Sequence, residues 1–205
     1  MDAAAILTLL EPHVPGATLV AEEAIDQPTI AVDRDYLVSV CEVLRRLPDL
    51  NFSFLADLTA VDRLPASPRF EVVYHLACLG ATGPPSNATG EAGRLRLRVR
   101  LPGDDARVPT VSTVWPAAGW PEREVWDLFG IVFDGHTDLR RILMPDDWDG
   151  HPLRKDHPVQ VNKRTKSSEP LQVTQAEFVA NIERARVAGG AAPPSASRDP
   201  TRGER

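Results

Sequence analysis

Three features of the sequence predict an α+β fold, with one antiparallel sheet and helices packed on one of its faces. Arg94–Leu101 alternates without a break. Leu95, Leu97, Val99 and Leu101 fall on one side and Arg94, Arg96, Arg98 and Arg100 on the other, the pattern of a strand with one buried face. Leu37, Val40, Cys41, Leu44 and Leu47 recur at helical spacing, with Glu42, Arg45 and Arg46 off the stripe. The remaining strand-like runs follow one another through short turn-forming stretches, which favours antiparallel neighbours.

In chain order, Asp2 is placed to cap a short helix bearing Ile6, Leu9 and Leu10, which Pro12, Pro15 and Gly16 end. Ala17–Glu23 and Pro28–Val32 read as two short strands. Asp33 is the expected cap of the second helix, which Pro48 closes. Asn51–Val61 and Arg69–Leu79 read as neighbouring strands joined across Asp62–Pro68. Gly80–Gly93 is rich in Gly, Pro and Ser and reads as a loop, and Val108–Val114 as a last strand. Pro121 suits the first turn of a third helix and Gly130 its end. Thr174 and Glu177 form a capping box before a stripe of Phe178, Val179, Ile182 and Ala185. The organisation expected is an α+β domain over 1–143, an extended segment with a terminal helix over 144–188 that wraps a partner, and a disordered tail over 189–205.

Bulk properties remove several functional classes. A net charge of −6 disfavours generic nucleic-acid binding, and the arginine row lacks the interleaved aromatics that stack on bases, so a solvated strand face is its simplest reading. Cys41 and Cys78 form no CxxC pair, which argues against a zinc or iron–sulfur site made by this chain alone. No apolar run approaches the ~20 residues of a membrane span, and the start MDAAAILTLLEPH lacks a basic leader region.

The chemistry-bearing residues crowd into Trp120–Val159. Arg123 and Asp127 stand four apart and are placed to pair. Glu122 falls on the apolar side of its helix with Val125, Trp126 and Phe129, where a carboxylate is costly unless a cation reaches it, and Arg140 and Arg141 are the nearest cations. No second acid or base stands at a catalytic spacing. His136, His151 and His157 match neither HExxH nor zinc-finger spacing; a metal-dependent hydrolase built on them is the reading from a different class. Gly150–Val159 is bracketed by prolines and dense in polar groups. It is therefore expected to be either disordered or laid in a groove of another chain.

Glu122-Arg123-Glu124, Asp127-Leu128-Phe129-Gly130, His136, Arg140, Ile142 and Leu143, followed by Gly150-His151-Pro152-Leu153-Arg154-Lys155-Asp156 and Pro158, form two blocks at fixed spacing. In these blocks the chain resembles the 30-kDa subunit of respiratory complex I, the C-type subunit family of bacterial NADH–quinone oxidoreductase. It departs from the family at Thr137, where proline is usual, and at His157, where an aromatic residue is usual. The resemblance implies a non-catalytic subunit of a proton-pumping NADH–quinone oxidoreductase, in its peripheral arm on the cytoplasmic side of the membrane. Such subunits bind no cofactor or metal themselves; FMN, iron–sulfur clusters and quinone belong to the assembled complex. The partners implied are the large quinone-site subunit of the 49-kDa type and a neighbouring iron–sulfur subunit, and the membrane is met only through the complex. Interface or signature roles then fall to Glu122, Arg123, Glu124, Asp127, His136, Arg140, Arg141, His151, Arg154, Lys155 and Asp156. The equivalent subunit of a membrane-bound hydrogenase, or of another donor-dependent dehydrogenase, is the alternative that this resemblance also allows.

Overall fold

The computed structural model describes residues 2–78, 93–158 and 174–188 in two units, Met1–Val159 and Gln160–Arg205. In the first unit the elements run α1 (Ala3–Leu10), β1 (Leu19–Glu22), β2 (Thr29–Val32), α2 (Leu37–Arg46), β3 (Phe54–Asp62), β4 (Phe70–Ala77), β5 (Arg94–Leu101), β6 (Arg107–Pro109), α3 (Gly119–Phe129) and β7 (Val132–Asp134). The helices form where the sequence places them. The Asp2 carboxylate accepts the Ala5 N–H at 2.8 Å and opens α1. Asp33 caps a single 3₁₀ turn, Arg34–Tyr36, that leads into α2, whose Leu37, Val40, Cys41 and Leu44 are buried.

The main sheet has the order β1-β2-β5-β4-β3. The two hairpins β1/β2 and β3/β4, and the β4/β5 pair, are antiparallel as expected. Two pairings are not: β2 runs parallel to β5, and β6 runs parallel to β7 in a separate two-stranded sheet. The strand expected over Val108–Val114 is therefore shorter, and its partner is Val132–Asp134, reached through α3. A parallel neighbour needs a crossover, and a helix between two strands supplies one. Nothing in the local alternation of either strand announces the partner.

One face of the sheet and the helices share a single core, with Phe70, Val72, Tyr74, Leu95, Leu97, Val99 and Leu101 from the sheet, Ile6 and Leu10 from α1, and Val125 and Phe129 from α3. The other face carries the arginine row, and it is not simply solvated. Glu71, 1 % exposed, lies 2.9 Å from Arg63 and 3.3 Å from Arg98. Glu22 pairs with Arg98 and Arg100, and Asp26 with Arg96 at 2.6 Å. Carboxylates from β1, β4 and the β1–β2 turn thus pair with Arg96, Arg98 and Arg100 within the chain.

Residues 144–158, assigned from sequence to the partner-wrapping segment, pack as part of the first unit. In the second unit Thr174 and Glu177 form the expected capping box, the Thr174 N–H reaching the Glu177 carboxylate at 3.0 Å, and open α4 (Gln175–Ala188). Phe178, Val179 and Ile182 on α4 are exposed. The expectations for residues 80–92 and 189–205 lie outside the described residues.

Candidate functional site

The signature residues converge on α3. The helix enters through a 3₁₀ turn, Pro116–Ala118, behind Trp115, whose indole N–H donates to the Phe52 carbonyl at 3.2 Å. It stops at Gly130, which adopts φ 72°, a left-handed conformation that favours glycine. A Cβ at that position would run into the His151 ring and the Arg154 guanidinium. Glycine here both ends the helix and lets the downstream chain lie against it.

Asp127 is fully buried. Its carboxylate accepts the N–H groups of Ile142, Leu143 and Met144 at 3.0, 2.8 and 2.8 Å and pairs with Arg141 at 2.6 Å. Burial pushes this carboxyl up, but the three amides and Arg141 outweigh it and hold Asp127 below the ordinary carboxylate value. The expected Arg123–Asp127 pair does not form. Arg123 instead donates to the carbonyls of Arg140 and Arg141, both at 3.2 Å, and its guanidinium lies 5.3 Å from the Trp120 ring centre. One carboxylate that collects three consecutive amides and a cation gains more than from a single i,i+4 ion pair on a helix surface.

Glu122 is equally buried, and neither Arg140 nor Arg141 reaches it. Its partners are the Thr110 hydroxyl at 2.5 Å and the Val111 N–H at 2.8 Å. His136 Nε2 stands 3.9 Å away but lies 3.0 Å from the Gly119 carbonyl, while Nδ1 accepts the Asp138 N–H at 3.0 Å. A neutral imidazole protonated at Nε2 satisfies both contacts. Glu122 is thus held by neutral donors alone, and burial raises its carboxyl above the ordinary value. The His136 contacts also close the turn at Thr137, where the family's proline is missing.

Downstream, residues 144–158 form a strap across the end of α3 and onto the β3–β4 turn. Arg141 donates to the carbonyls of Trp148 and Gly150 at 2.8 and 3.0 Å. His151 Nδ1 lies 2.9 Å from the Asp127 carbonyl. Arg154 donates to the carbonyls of Phe129 and Gly130, which α3 leaves without helical partners at its end. The Lys155 N–H reaches Asp62 at 2.9 Å and its ammonium the Leu64 carbonyl at 3.1 Å. Arg69 closes the clasp between Asp62 at 2.8 Å and Asp156 at 2.6 Å. Hydrogen bonds from Arg69 hold the Asp62 carboxyl well below the usual carboxylate range, against its burial. The groove expected on another chain is, for Gly150–Pro158, a groove on its own domain. His157 stacks on Trp148 with ring centres 6.5 Å apart.

Glu124 is exposed and makes no ion pair among the described residues, and Arg140 pairs only with Asp138 at 2.8 Å. Sequence reading missed Thr110, Asp62 and Arg69. The first two stand in or beside strands with no helical or motif spacing to mark them. All three meet partners remote in the chain: Thr110 is 12 residues from Glu122, and Arg69 is 87 from Asp156. Among the described residues no group of three or more His, Cys, Asp and Glu is placed to hold a metal ion.

The model of the family described as the respiratory-chain NADH dehydrogenase 30 Kd subunit matches residues 30–163, from β2 through the strap. The C subunit of NADH-quinone oxidoreductase from Roseiflexus sp. (strain RS-1) is 41 % identical over 159 residues, covering 78 % of this chain and 86 % of its own length. A longer relative from Methylococcus capsulatus, a C/D subunit of NADH-quinone oxidoreductase by name, is 42 % identical over 79 % of this chain, which accounts for 27 % of that polypeptide. Among solved structures, Nqo5, determined as a trypsin-resistant fragment, superposes with a TM-score of 0.52 at 34 % identity, over 68 % of this chain and all of that one. The α3 signature and its strap thus sit inside a match that runs across most of the chain, which belongs to the 30-kDa subunit family of respiratory-chain NADH dehydrogenase.

Proposed function

We propose that this peripheral-arm subunit of NADH–quinone oxidoreductase carries no electrons itself and serves as an architectural part. In this reading FMN, the iron–sulfur clusters and the quinone belong to its neighbours, and the complex that it completes moves electrons from NADH to quinone and pumps protons. The observation that carries the reading is the use of the signature. Glu122, Asp127, His136, Arg141, His151 and Arg154 all make hydrogen bonds to the chain's own backbone or side chains. Residues so engaged fix a shape, whereas reacting groups face an open site.

The nearest partner proposed is the large quinone-site subunit of the D type, with an iron–sulfur subunit alongside. A relative whose name joins C and D on one polypeptide supports a D-type neighbour. Exposed Phe178, Val179 and Ile182 on α4 suit a helix that a neighbour covers. Among the described residues no helix is long and apolar enough to cross a membrane. The place proposed is the cytoplasmic face of the membrane, reached through the complex.

Reversing Arg154 and Lys155 to Glu tests the reading, because it places carboxylates against the Phe129, Gly130 and Leu64 carbonyls and beside Asp62. NADH-to-quinone activity of the membranes is expected to fall several-fold, with NADH oxidation by an artificial acceptor at the flavin end largely kept. A complex that lacks this chain and still reduces quinone at the wild-type rate would refute it.

A further inference from the structure

Glu122, Thr110 and Ser112 form a chain of oxygens in order of rising exposure. Glu122 is fully buried, Thr110 is 6 % exposed and Ser112 is half-buried. The Thr110 hydroxyl lies 2.5 Å from Glu122 Oε2 and 2.8 Å from the Ser112 hydroxyl. Its oxygen also accepts the Ser112 N–H at 3.1 Å, which keeps the two side chains together. A threonine hydroxyl carries one hydrogen. Thr110 therefore donates to Glu122 or to Ser112, never fully to both. Each choice fits one protonation state of the carboxyl. With Glu122 ionised, Ser112 donates to Thr110 and Thr110 to Oε2. With Glu122 protonated, Oε2–H donates to Thr110, Thr110 donates to Ser112, and the Ser112 hydrogen is free to meet solvent. Oε1 accepts the Val111 N–H at 2.8 Å in both states.

The groups around Glu122 leave this chain as its route to a proton. Among the described residues no guanidinium pairs with it, and His136 Nε2, 3.9 Å away, is committed to the Gly119 carbonyl at 3.0 Å. Burial pushes the thiol of Cys41 on α2 and the phenol of Tyr74 on β4 up, and the charge of Glu122 adds to both, so neither supplies a proton near neutrality. The Tyr74 hydroxyl is buried without a hydrogen-bond partner among the described residues and relays nothing. Burial pushes the Glu122 carboxyl up further than the Thr110 hydroxyl, the Val111 amide and His136 bring it down.

We propose that Glu122, Thr110 and Ser112 form a proton-exchange site, in which a buried carboxyl takes up and releases a proton through two hydroxyls that reverse their hydrogen bonds. For uptake, a hydronium ion gives a proton to the Ser112 oxygen. Ser112 passes its own hydrogen to Thr110, and Thr110 passes its hydrogen to Glu122 Oε2. One carboxylate becomes a carboxyl, one hydronium becomes water, and both hydroxyls are restored with their hydrogens pointing the other way. Release to water runs the same steps backwards. The charge at the start of α3, and with it the joint between that helix and the segment after β6, then follows pH. The site needs no neighbouring subunit, so it stands or falls independently of the assembly reading.

The test follows the infrared carboxyl absorption of Glu122 in the full chain, identified as the band lost in Glu122→Gln, at equilibrium and after a rapid pH jump. In the wild type the band is expected to titrate above the ordinary carboxylate range. Ser112→Ala leaves the Thr110–Glu122 bond in place, so it is expected to slow the protonation step by at least about tenfold while barely moving the midpoint. Thr110→Val is expected to slow it as much and to move the midpoint up, because it removes a hydroxyl that favours the ionised form. Tyr74→Phe is expected to keep the wild-type rate within about twofold, since its hydroxyl lies off the path. A Ser112→Ala chain that exchanges at the wild-type rate overturns the inference, as does a Glu122 band that titrates in the ordinary carboxylate range. A Tyr74→Phe chain slowed as much as Ser112→Ala overturns the path.

Discussion

Glu122 and Asp127 stand five residues apart on the same helix and are equally buried, yet their surroundings differ in kind. Asp127 meets a guanidinium and three consecutive amides, so its charge is stabilised and its carboxyl is held low. Glu122 meets a hydroxyl, one amide and a neutral imidazole, with Cys41 and the phenol of Tyr74 in the core nearby, so its charge is penalised and its carboxyl is raised. Burial alone says nothing about the charge state of an acid; the count of donors, and whether any of them is cationic, decides it. The Asp127 site organises a loop and a strap that no regular element supports. The Glu122 site joins the segment after β6 to α3 inside the core.

The largest expected effect breaks the charged side of this contrast. Asp127→Ala leaves Arg141 without its carboxylate and three amides without acceptors, and is expected to cost about 3–5 kcal/mol, read from urea unfolding of the full chain. A cost below about 1 kcal/mol would show that the loop holds itself. Gly130→Ala comes next. It demands a left-handed alanine and drives a methyl into His151 and Arg154, and an expected loss of about 2 kcal/mol should appear in the same measurement, with earlier proteolysis within residues 144–158.

The smallest effect sharpens the comparison through pH. Glu122→Gln is expected to change stability by less than about 1 kcal/mol near neutrality, since the amide keeps an acceptor for Val111 and gains a donor for Thr110. The sign of its pH dependence is the informative part. A raised carboxyl contributes stability that is fully present below the ordinary value of about 4 and is lost as pH rises through the raised one. The melting temperature of Glu122→Gln relative to wild type should therefore increase with pH. For Asp127 the order reverses: its contribution is present above about 4 and is lost as pH falls through the lowered value. The wild-type advantage over Asp127→Asn should shrink in acid. Parallel slopes for the two variants would mean that the two sites do not differ as described.

Much of the fold was legible because it is written locally. The strict alternation of Arg94–Leu101 is a strand with one buried face, the stripe from Leu37 to Leu44 is the buried side of α2, and Asp2, Gly130 and the Thr174–Glu177 box stand at helix ends. The site was legible only as a set of residues. Arg123 looked like the partner of Asp127 because helical spacing is the one geometry a sequence displays. The actual partner, Arg141, lies beyond β7 on a chain reversal that spacing cannot give. The donors to Glu122 were hidden for a second reason. One of them is a backbone N–H, which every residue but proline carries and no side chain advertises.

By itself the sequence determined the α+β class, the ends of the helices, the charged and apolar sides of each element, and through the two signature blocks the family. Caps, stripes and alternation act within a few residues, so they survive being read along a line. Only the tertiary structure decided that β2 lies parallel to β5, that the strap folds back to an Asp62–Arg69–Asp156 clasp, and that Arg96, Arg98 and Arg100 of the arginine row pair with Glu22, Asp26 and Glu71. Those contacts join segments up to 93 residues apart, as between Lys155 and Asp62. Which of many carboxylates an arginine meets is set by how the packed core brings distant segments together, and that packing has no signature at either end of the contact.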